Sequence, residues 1–168
     1  MKYLFLFVSA ALLVSACGKK SDNCTSVPGT TVAPDAEKTR VTNYLATNPD
    51  AGAVQLENSG LYYSVSAAGS AKKPTVCSRV EVKYVGKRED GGIFDQTPGT
   101  GSTTFPLGNL IEGWKRALPL IGEGGKMRIY IPPSLGYGPA GLINNQTGAV
   151  IIPANQIIIF DVELVSVR

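Results

Sequence analysis

Histidine is absent from the 168 residues, and this absence limits the chemistry that the side chains can perform. Catalysis by a Ser-His-Asp or Cys-His site is excluded, and so is a metal bound through imidazole. Without histidine, Cys24 and Cys77 cannot complete a tetrahedral zinc site. No P-loop and no dinucleotide-binding glycine motif follows a strand pattern. The sequence therefore predicts a function that needs neither a metal nor another cofactor.

A series of short motifs rich in aromatic and aliphatic residues runs through the second half of the chain. In chain order they read VKYVG at 82–86, DGGIFD at 90–95, FPLG at 105–108, LIEGW at 110–114, GK at 125–126, IP at 131–132, LGYG at 135–138, IIPAN at 151–155 and FDVEL at 160–164. Each motif alone is a weak signal. In this order, over residues 61–168, they resemble the signature of FKBP-type peptidyl-prolyl cis-trans isomerases. The resemblance implies an enzyme that assists the folding of envelope or secreted proteins.

The residues that these motifs mark are of the wrong type for acid-base or covalent chemistry. Asp95 is the only carboxylate among them; the others are Tyr84, Phe94, Leu110, Ile111, Trp114, Tyr137, Ile151, Ile152 and Phe160. An apolar pocket with one or two polar groups suits an apolar ring such as that of proline. Prolyl isomerisation makes and breaks no covalent bond, so it needs no nucleophile and no general base. Its barrier of about 18–20 kcal/mol falls when the twisted amide is bound better than the planar one.

The resemblance also implies a role for each of these residues. Trp114 would form the floor of the pocket, with Tyr84, Phe94, Leu110, Ile111 and Phe160 as its walls and binding surface. The Ile111 N–H and the Tyr137 hydroxyl would hold carbonyl groups of the peptide. Asp95 would face the amide carbonyl, itself held by a hydroxyl such as that of Tyr84. Ile151 and Ile152 would lie on a flap loop and contact the residue before proline.

The resemblance assigns catalysis to Asp95, Tyr137, Phe160, Trp114 and Tyr84. The expected partners are proline-containing polypeptides, and macrolide inhibitors are candidate ligands of the same pocket. The loop at 139–150 is long and holds Asn144 and Asn145 where the family often has histidine.

Other interpretations of these residues stay open at this level. Trp114 and Phe160 fall on core-facing stripes, where large aromatic side chains are usually plain core. Asp95 ends a strand, where a carboxylate often serves a turn or a cap. A chaperone or peptide-binding module with little turnover is the main alternative, because a fold does not fix an activity. A purely structural envelope lipoprotein is a weaker alternative, since it would need no pocket.

The elements that must position these residues are mainly strands. Apolar residues alternate with polar ones around residues 61–66, 80–85, 126–131 and 158–165, which is typical of antiparallel strands with one buried face. Trp114, Ala117 and Leu118 have the spacing of one short helix at 111–118, and residues 89–92 (EDGG) predict a hairpin turn. The predicted fold class is α+β: a twisted antiparallel sheet wrapped around one short helix.

The organisation of the chain is predicted to be simple, with one domain at 59–168. A helical lead-in at 35–58 precedes it, with Asp35 as a helix N-cap and Val41, Tyr44 and Leu45 at helical spacing. This helix is expected to lie on the surface of the domain or to act as a spacer. The net charge of +3 is a small excess of 16 basic over 13 acidic residues. Because the basic residues form no block, nucleic acid is not expected as a partner.

The N-terminal residues 1–16 have the pattern of a signal peptide. Lys2 precedes an apolar run from Leu4 to Val14, which is too short to span a bilayer. Residues 14–17 (VSAC) resemble the lipobox of bacterial lipoproteins, which implies cleavage before Cys17 and a lipid on its thiol. A soluble product of ordinary signal cleavage is the alternative. Residues 17–34 are then a lipid-anchored flexible tether, and the expected location is the bacterial cell envelope. Gly18 after the cysteine favours the outer membrane, facing the periplasm or the exterior.

Cys24 and Cys77 are the two cysteines that remain if Cys17 is lipidated. An exported chain meets an oxidising compartment, so an even pair of cysteines is a disulfide candidate. Such a bridge would attach the tether to the domain. Two unpaired thiols are the alternative.

Overall fold

The structure is a computed structural model and describes residues 27–168; the signal peptide, Cys17 and Cys24 lie outside the described residues. Two α-helices are described, α1 (Asp35–Thr47) and α2 (Glu112–Ala117). The strands are β1 (Val54–Gln55), β2 (Tyr62–Ala67), β3 (Arg79–Arg88), β4 (Ile93–Gln96), β5 (Thr103–Pro106), β6 (Lys126–Ile131), β7 (Leu142–Ile143), β8 (Val150–Ile152) and β9 (Ile158–Val167). Within residues 27–168 no helix has the length and apolarity needed to cross a membrane.

One antiparallel sheet carries the fold, with the strand order β1-β2-β6-β9-β3-β4 and with β5 also paired to β3. The predicted α+β fold with a sheet around a short helix is confirmed. The long strands β3 and β9 pair from Val80↔Val167 to Arg88↔Ile158, with a bulge between Glu81 and Val82. The turn at 89–92 joins β3 to β4 as predicted, and Gly91 in it has φ +83°, a conformation that costs glycine little.

The main core lies between the inner face of the sheet and α2. Trp114 and Ala117 of α2 are buried there, as their helical spacing predicted. The sheet contributes alternate residues of its central strands to this core, among them Val80, Val82, Ile129, Phe160, Val162 and Leu164. Alternation along a strand sends every second side chain to the same face, so one side of each central strand covers α2.

A second, smaller core lies on the outer face of the sheet beneath α1. Val41 of α1 is fully buried there against Tyr130, Ile157 and Ile159. The alternation in the sequence predicted one buried face for each strand, but Tyr130 and Ile159, which alternate with the core residues Ile129 and Phe160, are buried on the other face. Their end of the sheet is covered by a helix on the outside as well as by the core on the inside.

The lead-in helix is thus packed on the domain, in agreement with the first of the two expected placements. Its N-cap residue is Pro34, so the prediction of Asp35 as N-cap was wrong. The Pro34 carbonyl accepts the N–H groups of Glu37 and Lys38, and Asp35 is the first helical residue, where a carboxylate is favoured by the helix dipole. The end of the expected tether also packs on the domain, because Ala33 is 2% exposed and its N–H donates to the Ser59 carbonyl.

Candidate active site

The centre of the site is a group of aromatic rings packed edge to face. The Phe160 ring centroid lies 5.1 Å from that of Trp114 at an interplanar angle of 89°. Tyr84 meets Trp114 at 5.5 Å and 89°, and Phe94 meets Phe160 at 5.5 Å and 86°. Edge-to-face pairs at these distances are favourable beyond their burial, at about 0.5–1.5 kcal/mol each. The rings therefore hold one another in place.

The sheet register explains why the rings meet. Gly86 of β3 lies opposite Phe160 of β9, and two residues away Tyr84 lies opposite Val162. A Cβ on Gly86 would lie 2.7 Å from Phe160 Cε1 and 2.8 Å from Phe94 Cζ, closer than side chains approach. Glycine at this position leaves the room that both rings occupy.

The rings form part of a cavity of about 200 Å³ that opens to solvent. Its lining consists of Tyr84, Asp95, Phe105, Leu110, Ile111, Trp114, Tyr137 and Phe160. Trp114 and Phe160 are each only 4% exposed, so their rings form the deep part of the cavity. Drug-sized ligands usually occupy about 300–1,000 Å³, so this cavity fits one small ring.

One strong hydrogen bond lies at the edge of the cavity. The Tyr84 hydroxyl donates to Asp95 Oδ2 at 2.7 Å. Burial raises the pKa of Tyr84, and the hydrogen bond and negative charge of Asp95 raise it further. The phenol therefore stays protonated at neutral pH and remains the donor to the carboxylate. This contact is the one expected for Asp95 from the sequence.

Two donors around the cavity have no acceptor within the described part of the chain. One is the Tyr137 hydroxyl, and burial raises the pKa of this phenol, as does the nearby charge of Asp95. The other is the backbone N–H of Ile111, the N-cap residue of α2, whose carbonyl accepts from Trp114 and Lys115. Both donors are thus available to carbonyl oxygens of a ligand.

Seven of the ten residues that the sequence singled out for the pocket line this cavity. The exceptions are Phe94, Ile151 and Ile152. Phe94 packs edge to face against the Phe160 ring and is not among the residues that line the cavity. Ile151 is partly buried against the main core. Ile152 is only 1% exposed, and its contact with the residue before proline stays a prediction. Its strand β8 pairs with β7 as a hairpin, which fixes Ile152 inward.

Phe105 lines the cavity, although the sequence motifs alone assign it no role in the site. It lies on β5 opposite Val80, and its ring centroid is 6.1 Å from that of Tyr84. The FPLG motif contained the residue, but only the pairing of β5 with β3 shows that its side chain reaches Tyr84.

A larger groove of about 580 Å³ on the outer face of the sheet is a less suitable site. Its carboxylates Asp161 and Glu163 are already paired with Arg128 and Lys126. The described residues contain no group of three or more acidic, cysteine or histidine side chains that could hold a metal ion. The aromatic cavity is therefore the candidate site.

Cys77 is disulfide-bonded. Cys24, the partner that the sequence favours, lies outside the described residues.

Comparisons of the chain with known proteins find matches in one family. Residues 70–165 match the family model described as FKBP-type peptidyl-prolyl cis-trans isomerase. The chain is 37% identical over 126 residues to the isomerase FkpA of Aeromonas hydrophila, covering 74% of this chain and 44% of that protein. It is 36% identical over 135 residues to the isomerase Mip of Coxiella burnetii, covering 80% and 55% respectively. The chain thus spans about half the length of these relatives.

Solved structures show the same likeness over most of the chain. A crystal structure of an isomerase from Pseudomonas syringae pv. tomato superposes with a TM-score of 0.66 at 31% identity, covering 83% of this chain and 99% of the other. The crystal structure of FkpA from Escherichia coli gives a TM-score of 0.66 at 32% identity, covering 80% and 60%.

Proposed function

Because the chain belongs to the family of FKBP-type peptidyl-prolyl cis-trans isomerases, we propose that it catalyses rotation about the peptide bond before proline in polypeptides. The observation that carries this proposal is the cavity of about 200 Å³ with Trp114 and Phe160 at its base and two unpaired donors at its rim. A prolyl ring fits the apolar base, and the donors can hold peptide carbonyls on either side.

The mechanism follows from what the side chains can do. The barrier of about 18–20 kcal/mol comes from the loss of amide resonance on rotation. The cavity lowers it by binding the twisted amide more tightly than the planar one. The twisted amide has a less polarised carbonyl, so it loses less hydration when it moves against the aromatic rings.

The polar groups orient the peptide around this apolar base. The Ile111 N–H and the Tyr137 hydroxyl hold carbonyls, which anchors the chain while the amide turns. Asp95 faces the rotating carbonyl and is held by the Tyr84 hydroxyl at 2.7 Å. No proton is transferred and no covalent intermediate forms, so the groups act by position alone.

The test is an isomerisation assay on tetrapeptides of the type Ala-Xaa-Pro-Phe, by protease coupling or solvent jump. The wild-type protein should speed the exchange, and Tyr137→Phe should reduce kcat/KM by about tenfold, the effect of one lost hydrogen bond of about 1.5 kcal/mol. Trp114 is the single tryptophan of the chain, so its fluorescence reports occupancy of the cavity independently. A folded protein whose fluorescence responds to the peptide without any catalysis would be a binding module instead.

The same cavity bears on macrolide inhibitors as ligands. A volume of about 200 Å³ admits one ring of such a molecule, so most of the ligand would lie on the rim. Competition between a macrolide and the tetrapeptide, followed through Trp114 fluorescence, tests this directly.

We also propose that the protein is a lipoprotein of the bacterial cell envelope, anchored through Cys17, and that it acts on envelope or secreted proteins. The support is the apolar run up to Val14 and the VSAC sequence at 14–17. One acyl chain gives marginal membrane binding, and further chains make the anchoring durable. Mass spectrometry of the mature N-terminus should show an acylated Cys17. A mature chain that starts elsewhere, or an unmodified Cys17, would refute the anchor.

A further inference from the structure

We infer that α1, through Glu37 and Arg40, positions the loop of residues 134–141. This loop, called the Tyr137 loop below, carries Tyr137 at the rim of the cavity. This inference rests on the proposed isomerase function. It assigns to a helix on the outer face of the sheet a role in the site on the inner face.

The helix offers a firm base for such a role. Val41 is fully buried in the outer core, and the Tyr44 ring lies 6.1 Å from that of Tyr130. Glu37 lies four residues before Val41, and Arg40 lies four residues before Tyr44, so each shares a protein-facing stripe of the helix with one of these anchors. A fixed helix can hold neighbouring loops in place, whereas a loosely docked one could not.

Glu37 holds the N-terminal side of the Tyr137 loop. Its Oε2 accepts the N–H of Ser134 at 2.9 Å and the hydroxyl of Ser134 at 2.7 Å. Ser134 lies in the short 3₁₀ turn Pro133–Leu135, three residues before Tyr137. One carboxylate oxygen thus fixes both the backbone and the side chain at this point.

Arg40 holds the C-terminal side of the same loop through one intermediate residue. Its Nη1 donates to the Asn155 carbonyl at 2.8 Å, and its Nη2 donates to Glu89 at 3.0 Å. The N–H of Asn155 donates in turn to the Gly138 carbonyl at 2.9 Å. Asn155 has φ +57°, in the left-handed region that asparagine adopts more often than most residues other than glycine.

Tyr137 therefore lies between two points that both lead back to α1. Its hydroxyl lines the cavity and has no acceptor among the described residues, so the backbone of the loop determines where the hydroxyl lies. A hydrogen bond needs its donor within about 2.7–3.2 Å of the acceptor, and misplacement by about 1 Å is costly in catalysis. Loosening either point should thus weaken the grip on the peptide carbonyl.

The competing explanation is that these contacts only fasten α1 to the domain. Arg40 and Glu89 are partly exposed, with 41% and 29% of their side chains accessible. Pairs with this exposure contribute little to the free energy of unfolding. Their removal should therefore leave the fold intact, and activity can be compared in folded proteins.

The experiment uses Glu37→Ala combined with Arg40→Met in the full chain. Alanine keeps the helix favourable, and methionine retains the aliphatic stem of arginine. The matched control combines Asp35→Ala with Lys38→Met on the same helix. The side-chain hydrogen bonds described for this pair join Lys38 to Asp35 and to Asn58, and neither joins the helix to the Tyr137 loop. Both variants lose one acidic and one basic group, so their net charge is the same.

The expected result is a loss of about 3- to 30-fold in kcat/KM for the Glu37/Arg40 variant, against less than about twofold for the control, at equal thermal stability. The same substitutions in a Tyr137→Phe background should cause less than about a twofold further loss, because the hydroxyl that they position is gone. An undiminished loss in that background, or full activity in the folded variant, would overturn the inference.

Hydrogen exchange separates this inference from the proposed activity. Amides of residues 134–141 and Asn155 should exchange faster in the Glu37/Arg40 variant than in the control. If the wild-type protein were inactive on every peptide, the proposed function would fail, and this comparison would still decide whether α1 holds the loop. Equal exchange in the two variants would refute it.

Discussion

Phe160 combines two roles that a pair of substitutions can separate, namely packing in the core and forming the base of the cavity. Its side chain is 4% exposed and its ring contacts those of Tyr84, Phe94 and Trp114 at centroid distances of 6.1, 5.5 and 5.1 Å. Phe→Ala changes in cores cost about 3–5 kcal/mol, and three ring contacts place Phe160→Ala near the upper end. For a domain of this size we expect the melting temperature to fall by about 12–20 °C.

The control for this prediction lies on the same strand and the same face. Leu164 is fully buried in the main core but does not line the cavity, so Leu164→Ala should lose about 2–5 kcal/mol with near-normal activity. Phe160→Ala should lose about 10- to 100-fold in kcat/KM as well, because the prolyl ring loses apolar contact.

The assay pairs a thermal melt with tetrapeptide kinetics at a temperature where both variants are folded. Equal loss of activity in the two variants would show that Phe160 acts only through stability. A Phe160→Ala melt close to that of the wild type would contradict its place in the ring cluster.

Four further outcomes are expected. Asp95→Ala should lower kcat/KM by about 10- to 150-fold with a small change in melting temperature, because a charged hydrogen-bond partner of Tyr84 is lost at the rim; full activity in the folded variant would remove Asp95 from the mechanism. Gly86→Ala should destabilise by about 1–3 kcal/mol in a urea titration, since its Cβ would lie 2.7 Å from Phe160; an unchanged midpoint would show that the rings yield freely. Burial tends to raise the pKa of Asp161, but hydrogen bonds from Arg128 and Lys87 outweigh it and hold the pKa below its usual value of 3.8. The free energy of unfolding should therefore decrease as the pH falls through this lowered pKa. Asp161→Asn should flatten that part of the plot of unfolding free energy against pH, and an unaltered plot would refute the pairing. Unreduced protein should leave Cys77 unalkylated, and peptide mapping should find it joined to Cys24; the chain-entropy model sets the stabilisation at about 4 kcal/mol at most, and a free Cys24 would refute that pairing.

The strands of this fold could be predicted because local alternation reflects the face that each side chain occupies. Val80, Val82 and Leu164 are buried on the one face that the alternation predicts. Tyr130 and Ile159 are buried on the other face, because a helix distant in sequence covers them. Alternation reports one buried face and cannot show that a second layer covers the other at one end of the sheet.

The site was predictable where motifs carry the residues and less so where pairing places them. Trp114, Tyr137 and Asp95 lie at the cavity as expected. The loop predicted at 139–150 instead forms most of a hairpin of β7 and β8, in which Ile152 pairs with Leu142 and is buried. Phe105 reaches the cavity through the pairing of β5 with β3, and no local pattern encodes such long-range pairing.

The position of β9 has a consequence for how the chain reaches this structure. β9 lies in the middle of the sheet, between β6 and β3, yet of the described strands it is the last to be synthesised. Until it arrives, β1-β2-β6 and β3-β4-β5 are two separate groups of strands, each with an unpaired edge. The sheet closes only through contacts between residues up to about 87 positions apart, such as Val80 with Val167. Such non-local pairing slows folding to about milliseconds or seconds, and the complete sheet can form only after β9 has been synthesised.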